Sequence, residues 1–208
     1  MELEDATLRR AVVLGSALVY WTGVFVQTRR IRKRTGRSAN SMPRGIKEQL
    51  LWAGWLAVIV SWVALPFLAK HPADIATFEI LPALENRVGL ISGILLVVLG
   101  YVGTLWCYSI MGDAWRMGID RNEKTQLVTQ GPYRVTRHPI YGLQVTMLAG
   151  VALLLPTVFA FIILGLHCLC AWIKARDEEA YLLTVHGEEY RAYCTRTGRL
   201  LPRILPRT

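Results

Sequence analysis

Between Val88 and Met111 the chain runs for 24 residues without a charged side chain. At a rise of about 1.5 Å per residue, a helix of that length covers the roughly 30 Å hydrocarbon core of a bilayer. A helix also satisfies all its backbone polar groups internally, which lipid demands. Residues 11–27 and Leu50–Ala69 are two further apolar runs of spanning length. A fourth, Ile140–Ile173, carries Pro156-Thr157 at its midpoint. That break predicts two tightly joined helices of about 16 or 17 residues, each short of a typical hydrocarbon core. The expectation is an all-α integral membrane protein with five transmembrane helices, the last two forming a hairpin. A composition of 53% hydrophobic residues excludes an ordinary soluble domain. The first run is preceded by acids and arginines and lacks a small-residue cleavage site before a polar mature chain, so it reads as a retained span.

The 24 Lys and Arg are shared unevenly among the loops. Eight fall between Arg29 and Lys47, five between Trp115 and His138, and seven from Lys174 to Arg207. Only two precede the first span and two occupy the 70–87 loop. The positive-inside rule then predicts a multi-pass protein with its N-terminus outside and its C-terminus cytosolic, in a bacterial or archaeal plasma membrane or the endoplasmic reticulum. A net charge of +9 is thereby explained without a nucleic-acid partner. Attraction of residues 29–47 to anionic headgroups is the secondary reading. Cys107, Cys168, Cys170 and Cys194 include no C-x-x-C pair and read as free thiols, with neither a disulfide frame nor a metal site.

The chemistry-bearing residues gather on the predicted cytosolic side. Residues 131–141 read GPYRVTRHPIY, which sets Tyr133, Arg137, His138 and Tyr141 around two prolines at the mouth of a span. Ionisable groups are costly there unless they have work to do. The plainer alternative is an interfacial basic loop with aromatic anchors. Farther on, Lys174, Arg176, Glu178 and Glu179 lie at the end of the fifth helix. The acid pair is expected to open an amphipathic helix that presents Leu182, Leu183 and Val185 on one side and bends at Gly187. As a bare helix start, the pair would merely complement the helix dipole. In a hairpin, however, it sits level with the RHPIY loop. His167 with Cys168 and Cys170 reads as packing. Gly89, Gly93, Gly100 and Gly103 read as close helix contact, with Gly93 and Gly100 able to border a lipid channel. Trp106, Trp115 and Trp172 read as interfacial anchors.

LVTQGPYRVTRHPIY, followed from Glu178 by EEAYLLTVHGEEYRAYCTRTGRLLP, resembles the isoprenylcysteine carboxyl methyltransferases and their prokaryotic relatives, within the wider group that includes phospholipid methyltransferases. The matching motifs cover residues 126–202, in a catalytic part taken as 112–208 that follows three spans in 1–111. The resemblance implies S-adenosylmethionine as methyl donor, no metal, and a lipid-like or prenylated substrate arriving from the bilayer. It implies a cofactor pocket lined by His138 and Tyr141 with Tyr133 and Arg137, and backbone contacts from Leu127, Val128 and Gly131. Glu178 and Glu179 would face cofactor or substrate, and Tyr190, Tyr193 and Arg199 would belong to the segment that closes the pocket. The family's usual Arg four positions before the first acid is Lys174 here, with Arg176 two residues on. Lys is a point charge where Arg is a planar fork.

Methyl transfer from a sulfonium asks chiefly for alignment in a dry, preorganised site. A carboxylate acceptor arrives ionised and needs a cation, for which Lys174 and Arg176 are the candidates beside Glu179. An amine acceptor arrives protonated and needs a base, Glu179 or His138. The two cations favour carboxyl O-methylation of a prenylated cysteine or a similar lipid carboxylate over phospholipid amine N-methylation. Of the other classes, an NADPH-dependent membrane reductase lacks a G-x-G-x-x-G fingerprint. A scaffold or transporter would place its ionisable residues inside the spans.

Overall fold

A computed structural model describes residues 2–36, 45–70, 73–112, 115 and 127–203. The middle of the basic segment (37–44) and the stretch leading to the GPY motif (116–126) lie outside the described residues. Five helices follow one another: α1 (Glu2–Thr35), α2 (Ile46–Leu68), α3 (Arg87–Met111), α4 (Pro139–Leu154) and α5 (Val158–Arg196). Short 3₁₀ turns occupy Ala76–Phe78 and Gly131–Arg134. The chain is an all-α multi-pass membrane protein. α1, α2, α3 and α5 are long and apolar enough to cross a bilayer, whereas α4, with 16 residues, is the short one.

Two expectations need correction. Only α4 is short: α5 runs for 39 residues, well past the apolar stretch that ends at Ile173. Glu178 and Glu179 therefore lie inside α5 and do not open a new helix. The cause is local, because KARDEEAYLLTVH contains neither Gly nor Pro and is rich in good helix formers. The expected bend does occur at Gly187, with φ 52° and ψ −121°, a conformation that favours glycine. α1 likewise extends beyond its apolar run at both ends.

α3 packs along α4 through small residues. A Cβ on Gly93 would stand 2.9 Å from the Gly150 carbonyl oxygen, and one on Gly100 2.7 Å from that of Leu143. Helix α4 thus fills the face that sequence alone left open for a lipid channel, and the packing reading holds. The opposite face of α3 presents Leu95, Leu99 and Val102 outward.

The helix ends are tied by α1. Arg9, 3% exposed, donates to the carbonyls of Leu153 (3.3 Å) and Leu154 (3.2 Å) at the end of α4 and of Asn86 (2.6 Å) before α3. Arg10 donates to Pro66 (2.6 Å) and Ala69 (2.8 Å) at the end of α2. Apart from Asn86, which caps the start of α3 and also accepts from Leu90 N–H, these carbonyls lie at helix C-termini, where intrahelical donors run out and cations are favoured. One end of the bundle therefore collects the start of α1 with the ends of α2 and α4. The α4–α5 turn is held there by Leu81 N–H donating to Pro156 O at 2.7 Å, with Thr157 capping α5. The start of α4 lies at the other end.

Candidate functional site

At that other end, Pro139 at the first position of α4 leaves His138 as the residue before the helix. The polar half of α5 passes beside it. Six side chains meet: Arg137, His138 and Tyr141 from the start of α4, Glu178 and Glu179 from α5, and Arg199 from the segment after α5. His138 Nδ1 stands 3.2 Å from Glu178, whose other oxygen accepts from the Tyr141 hydroxyl at 2.7 Å. Glu179 accepts from Arg137 Nε at 2.7 Å and, in a forked grip, from Arg199 Nε at 3.0 Å and Nη2 at 2.7 Å. His138 Nε2 is buried 3.6 Å from Glu179 and has no hydrogen-bond partner.

The segment after α5 closes this cluster by backbone pairing. Arg137 N–H donates to Gly198 O at 2.8 Å, His138 N–H to Arg199 O at 3.0 Å, and Gly198 N–H to Val135 O at 3.0 Å. Gly142 makes the crossing possible, since a Cβ there would meet the Leu200 carbonyl oxygen at 2.3 Å. Arg137 also donates to the carbonyls of Thr197 and Cys194. The Tyr193 hydroxyl donates to Tyr133 O at 2.6 Å, fixing the GPY turn from behind. Tyr190 is fully buried, and its hydroxyl has no hydrogen-bond partner.

Electrostatics follow from this packing. Burial opposes a charge on Glu179, but His138, Arg199 and Arg137 outweigh it and hold the carboxyl well below the usual range. Glu178 is likewise lowered against its own burial, chiefly by His138 and in part by Lys174. Burial works against a charged His138 as well, yet the two carboxylates hold its pKa above the ordinary 6.5. Two guanidiniums (Arg137, Arg199) and the titratable His138 thus face two carboxylates.

The sequence-derived residues divide accordingly. Arg137, His138, Tyr141, Glu178, Glu179 and Arg199 converge, with Tyr133, Tyr190 and Tyr193 packed behind them. Leu127 and Val128 are half-buried in the approach to the Gly131 turn. Gly131, at φ 56°, leans on α3, where a Cβ would come 3.0 Å from Ile110. Lys174, one turn before Glu178, acts on that carboxyl. Arg176 is exposed on α5 and takes no part in the contacts to the acid pair described above. The guanidinium fork comes instead from Arg137 and Arg199, outside α5. Trp172, expected only to anchor an interface, supports Arg199, whose guanidinium lies 4.4 Å above its ring. His167 is buried edge-on against Trp55 at 4.7 Å, as packing requires.

Residues 88–189 match the family model described as phospholipid methyltransferase. Over that segment, just under half of its length, the chain is similar to the phospholipid methyltransferases. The matched residues contain Arg137, His138, Tyr141, Glu178 and Glu179, while Tyr190, Tyr193 and Arg199 lie beyond them. Over 112 residues, 54% of this chain, it is 30% identical to the nickel-cobalt-cadmium resistance protein NccN of Alcaligenes xylosoxydans xylosoxydans, covering 49% of that protein. It is 29% identical over 113 residues to the cobalt-zinc-cadmium resistance protein CzcN of Cupriavidus metallidurans, covering 48% of it. The chain thus spans about half the length of the curated relatives it matches.

Proposed function

We propose that this protein is an S-adenosylmethionine-dependent methyltransferase whose acceptor is a lipid-like carboxylate, such as a prenylated cysteine. The observation that carries the proposal is the closed cluster of Arg137, His138, Tyr141, Glu178, Glu179 and Arg199, five of whose members fall in the phospholipid methyltransferase segment.

The donor set suits the cofactor. An amino-acid zwitterion needs both a cation and an anion, and the cluster holds Arg199 and Glu178 within one closed site. The buried hydroxyl of Tyr190 makes no hydrogen bond and is an open position for a polar ligand, and Nε2 of His138, 3.6 Å from Glu179, makes none either. Tyr133, Tyr193 and the backbone of Leu127, Val128 and Gly131 would complete its holders. When bound, the cofactor supplies an electrophilic methyl group on a sulfonium. The protein's part is to orient the acceptor and exclude water, and the paired segment 197–200 supports the second task.

The choice of acceptor rests on charge. Glu179 is held well below the usual carboxylate range by its cations, which makes it a weak base, and His138 is engaged by the two carboxylates that raise its pKa. An ammonium acceptor would need a general base and would also meet an excess of positive charge. A carboxylate needs no base and is attracted, with Lys174 beside Glu178 as an additional cation. Phospholipid amine N-methylation is the second reading, favoured by the description of the matching family. The catalytic end is taken to face the cytosol.

Calorimetry of the detergent-solubilised protein with S-adenosylhomocysteine and, separately, NADPH tests the proposal. Binding of the first alone is expected, and binding of NADPH alone would move the protein to a reductase. The relatives' names point to divalent-metal tolerance, and Ni²⁺ or Cd²⁺ binding without S-adenosylhomocysteine binding would favour that role. A methylation rate nearly flat from about pH 6 to 9 is expected for a carboxylate, whereas a climbing rate marks an amine.

A further inference from the structure

Gln144 is a polar group of the bundle that has no part in the cluster. Gln144 follows Tyr141 by three residues on α4, roughly 4.5 Å deeper along the helix axis by the usual rise. Its Nε2 donates to the Tyr20 hydroxyl of α1. Its Oε1 is buried and accepts no hydrogen bond. Tyr20 is itself 3% exposed and packs against Trp62 of α2 at 5.8 Å, so the amide is held from one side by a fixed partner. Tyr141, whose hydroxyl reaches Glu178, lies within electrostatic reach of Tyr20. The free oxygen of Gln144 thus belongs to the layer just beneath the charged cluster.

An amide within a membrane bundle is commonly satisfied on both ends by neighbouring helices. A buried acceptor left open calls for an explanation such as an absent ligand or water. Turning the amide end for end leaves its nitrogen in the same place, still without a partner, so an opening exists either way. As placed, the opening is an acceptor. It suits an N–H or O–H, and its depth suits a group a few ångströms from the methylated atom on the side of the lipid chain.

We infer that Gln144, anchored by Tyr20, is a specificity residue that reads a hydrogen-bond donor, an amide N–H or a hydroxyl, carried by the lipid next to its reacting head. The inference rests on the proposed methyl-transfer site and adds a second recognition point to it. An acceptor with an amide between head and hydrocarbon would satisfy Oε1. The corresponding ester would leave it unpaired and add a repelled oxygen. Sites built to bond a substrate N–H reject analogues that lack it more strongly than sites that only measure shape.

Matched probes test this. N-palmitoylglycine and O-palmitoylglycolic acid differ only in N–H against O and share a carboxylate head. N-palmitoyl-ethylenediamine and 2-aminoethyl palmitate repeat the difference with an amine head. Lipid binding to the detergent-solubilised protein would be read by native mass spectrometry, with S-adenosylhomocysteine binding measured separately. In at least one head series the wild type is expected to bind the amide about tenfold or more tighter than the ester, in the range a buried hydrogen bond supplies. Gln144→Leu should bring that ratio to one. Tyr20→Phe, which frees the amide without removing it, should reduce the ratio while S-adenosylhomocysteine still binds. Equal affinity in both series, no binding of either amide, or a preference that survives Gln144→Leu would overturn the inference. Equal affinities together with bound S-adenosylhomocysteine would show that Oε1 is met by water only. An amide preference without S-adenosylhomocysteine binding would instead sink the methyltransferase reading and leave the lipid site standing.

Discussion

Glu179 joins three separate segments: the turn before α4, the interior of α5 and the stretch after α5. Removing one partner of a buried ion pair typically costs about 3–5 kcal/mol, because the other charge is left uncompensated. Glu179→Gln strands two guanidiniums, and since Arg199 is 26% exposed the lower end of that range is expected. Thermal unfolding in detergent should show a loss of about 3 kcal/mol, and single-turnover methylation on the same variant should fall about a hundredfold. A variant that loses rate alone would deny the structural role. His138 gives a pH signature of the opposite sign to an acid. Its pKa is raised on folding, so its contribution is complete below its ordinary 6.5 and disappears as pH rises through the raised value. The stability gap between wild type and His138→Gln should therefore narrow as pH climbs from 6 into the alkaline range. For Glu179 the folded pKa is lowered, so its contribution is complete above the usual carboxylate range and is lost only as pH falls below it. At this scale the meeting of His138 and Tyr141 with the acid pair was legible from the motifs on either side of the α4–α5 hairpin. Which cations grip Glu179 was not legible, because that depends on how distant segments carrying Arg137 and Arg199 fold against α5.

Helix positions could be read from apolar runs and breakers alone. The Pro156-Thr157 turn and the Gly187 bend appear where the sequence puts them, since proline and glycine act through local backbone geometry. Helix ends were less visible. α1 and α5 run on into polar sequence, where good helix formers and tertiary contacts extend them beyond what hydropathy marks. Arg9 and Arg10 showed in the sequence only as two charges outside the first span, because their carbonyl partners lie more than 50 residues away. Arg9→Met should remove the guanidinium from three carbonyls, of which Asn86 keeps the Leu90 N–H, and lower stability by roughly 2 kcal/mol, since hydrogen bonds to charged groups are worth about 1.5–3 kcal/mol. Arg10→Met should cost less, its side chain being less buried. Chemical or thermal unfolding of both variants checks the order. Gly93→Leu attacks the α3–α4 seam, where the added side chain meets Leu154 and Gly150 at once, and should cost more than either arginine.

For the molecule as a whole, the two ends of the bundle differ in what their charges do. At the end that holds the start of α1, Arg9 and Arg10 are bound to helix termini, which accounts for basic residues on a side that the positive-inside rule would leave poor in them. At the other end, Arg29, Arg30, Arg32 and Lys33 are exposed beyond the apolar part of α1, on the side of His138 and the acid pair. The expected orientation places that end in the cytosol. In a variant stripped of its native cysteines, Glu4→Cys should react with a membrane-impermeant maleimide added to sealed cells or right-side-out vesicles. A lone cysteine kept at 194, at the site end and part-exposed, should react only after the membrane is opened. The reverse pattern would put the site outside, away from any cytosolic supply of methyl donor, and would undo the proposed reaction along with the orientation.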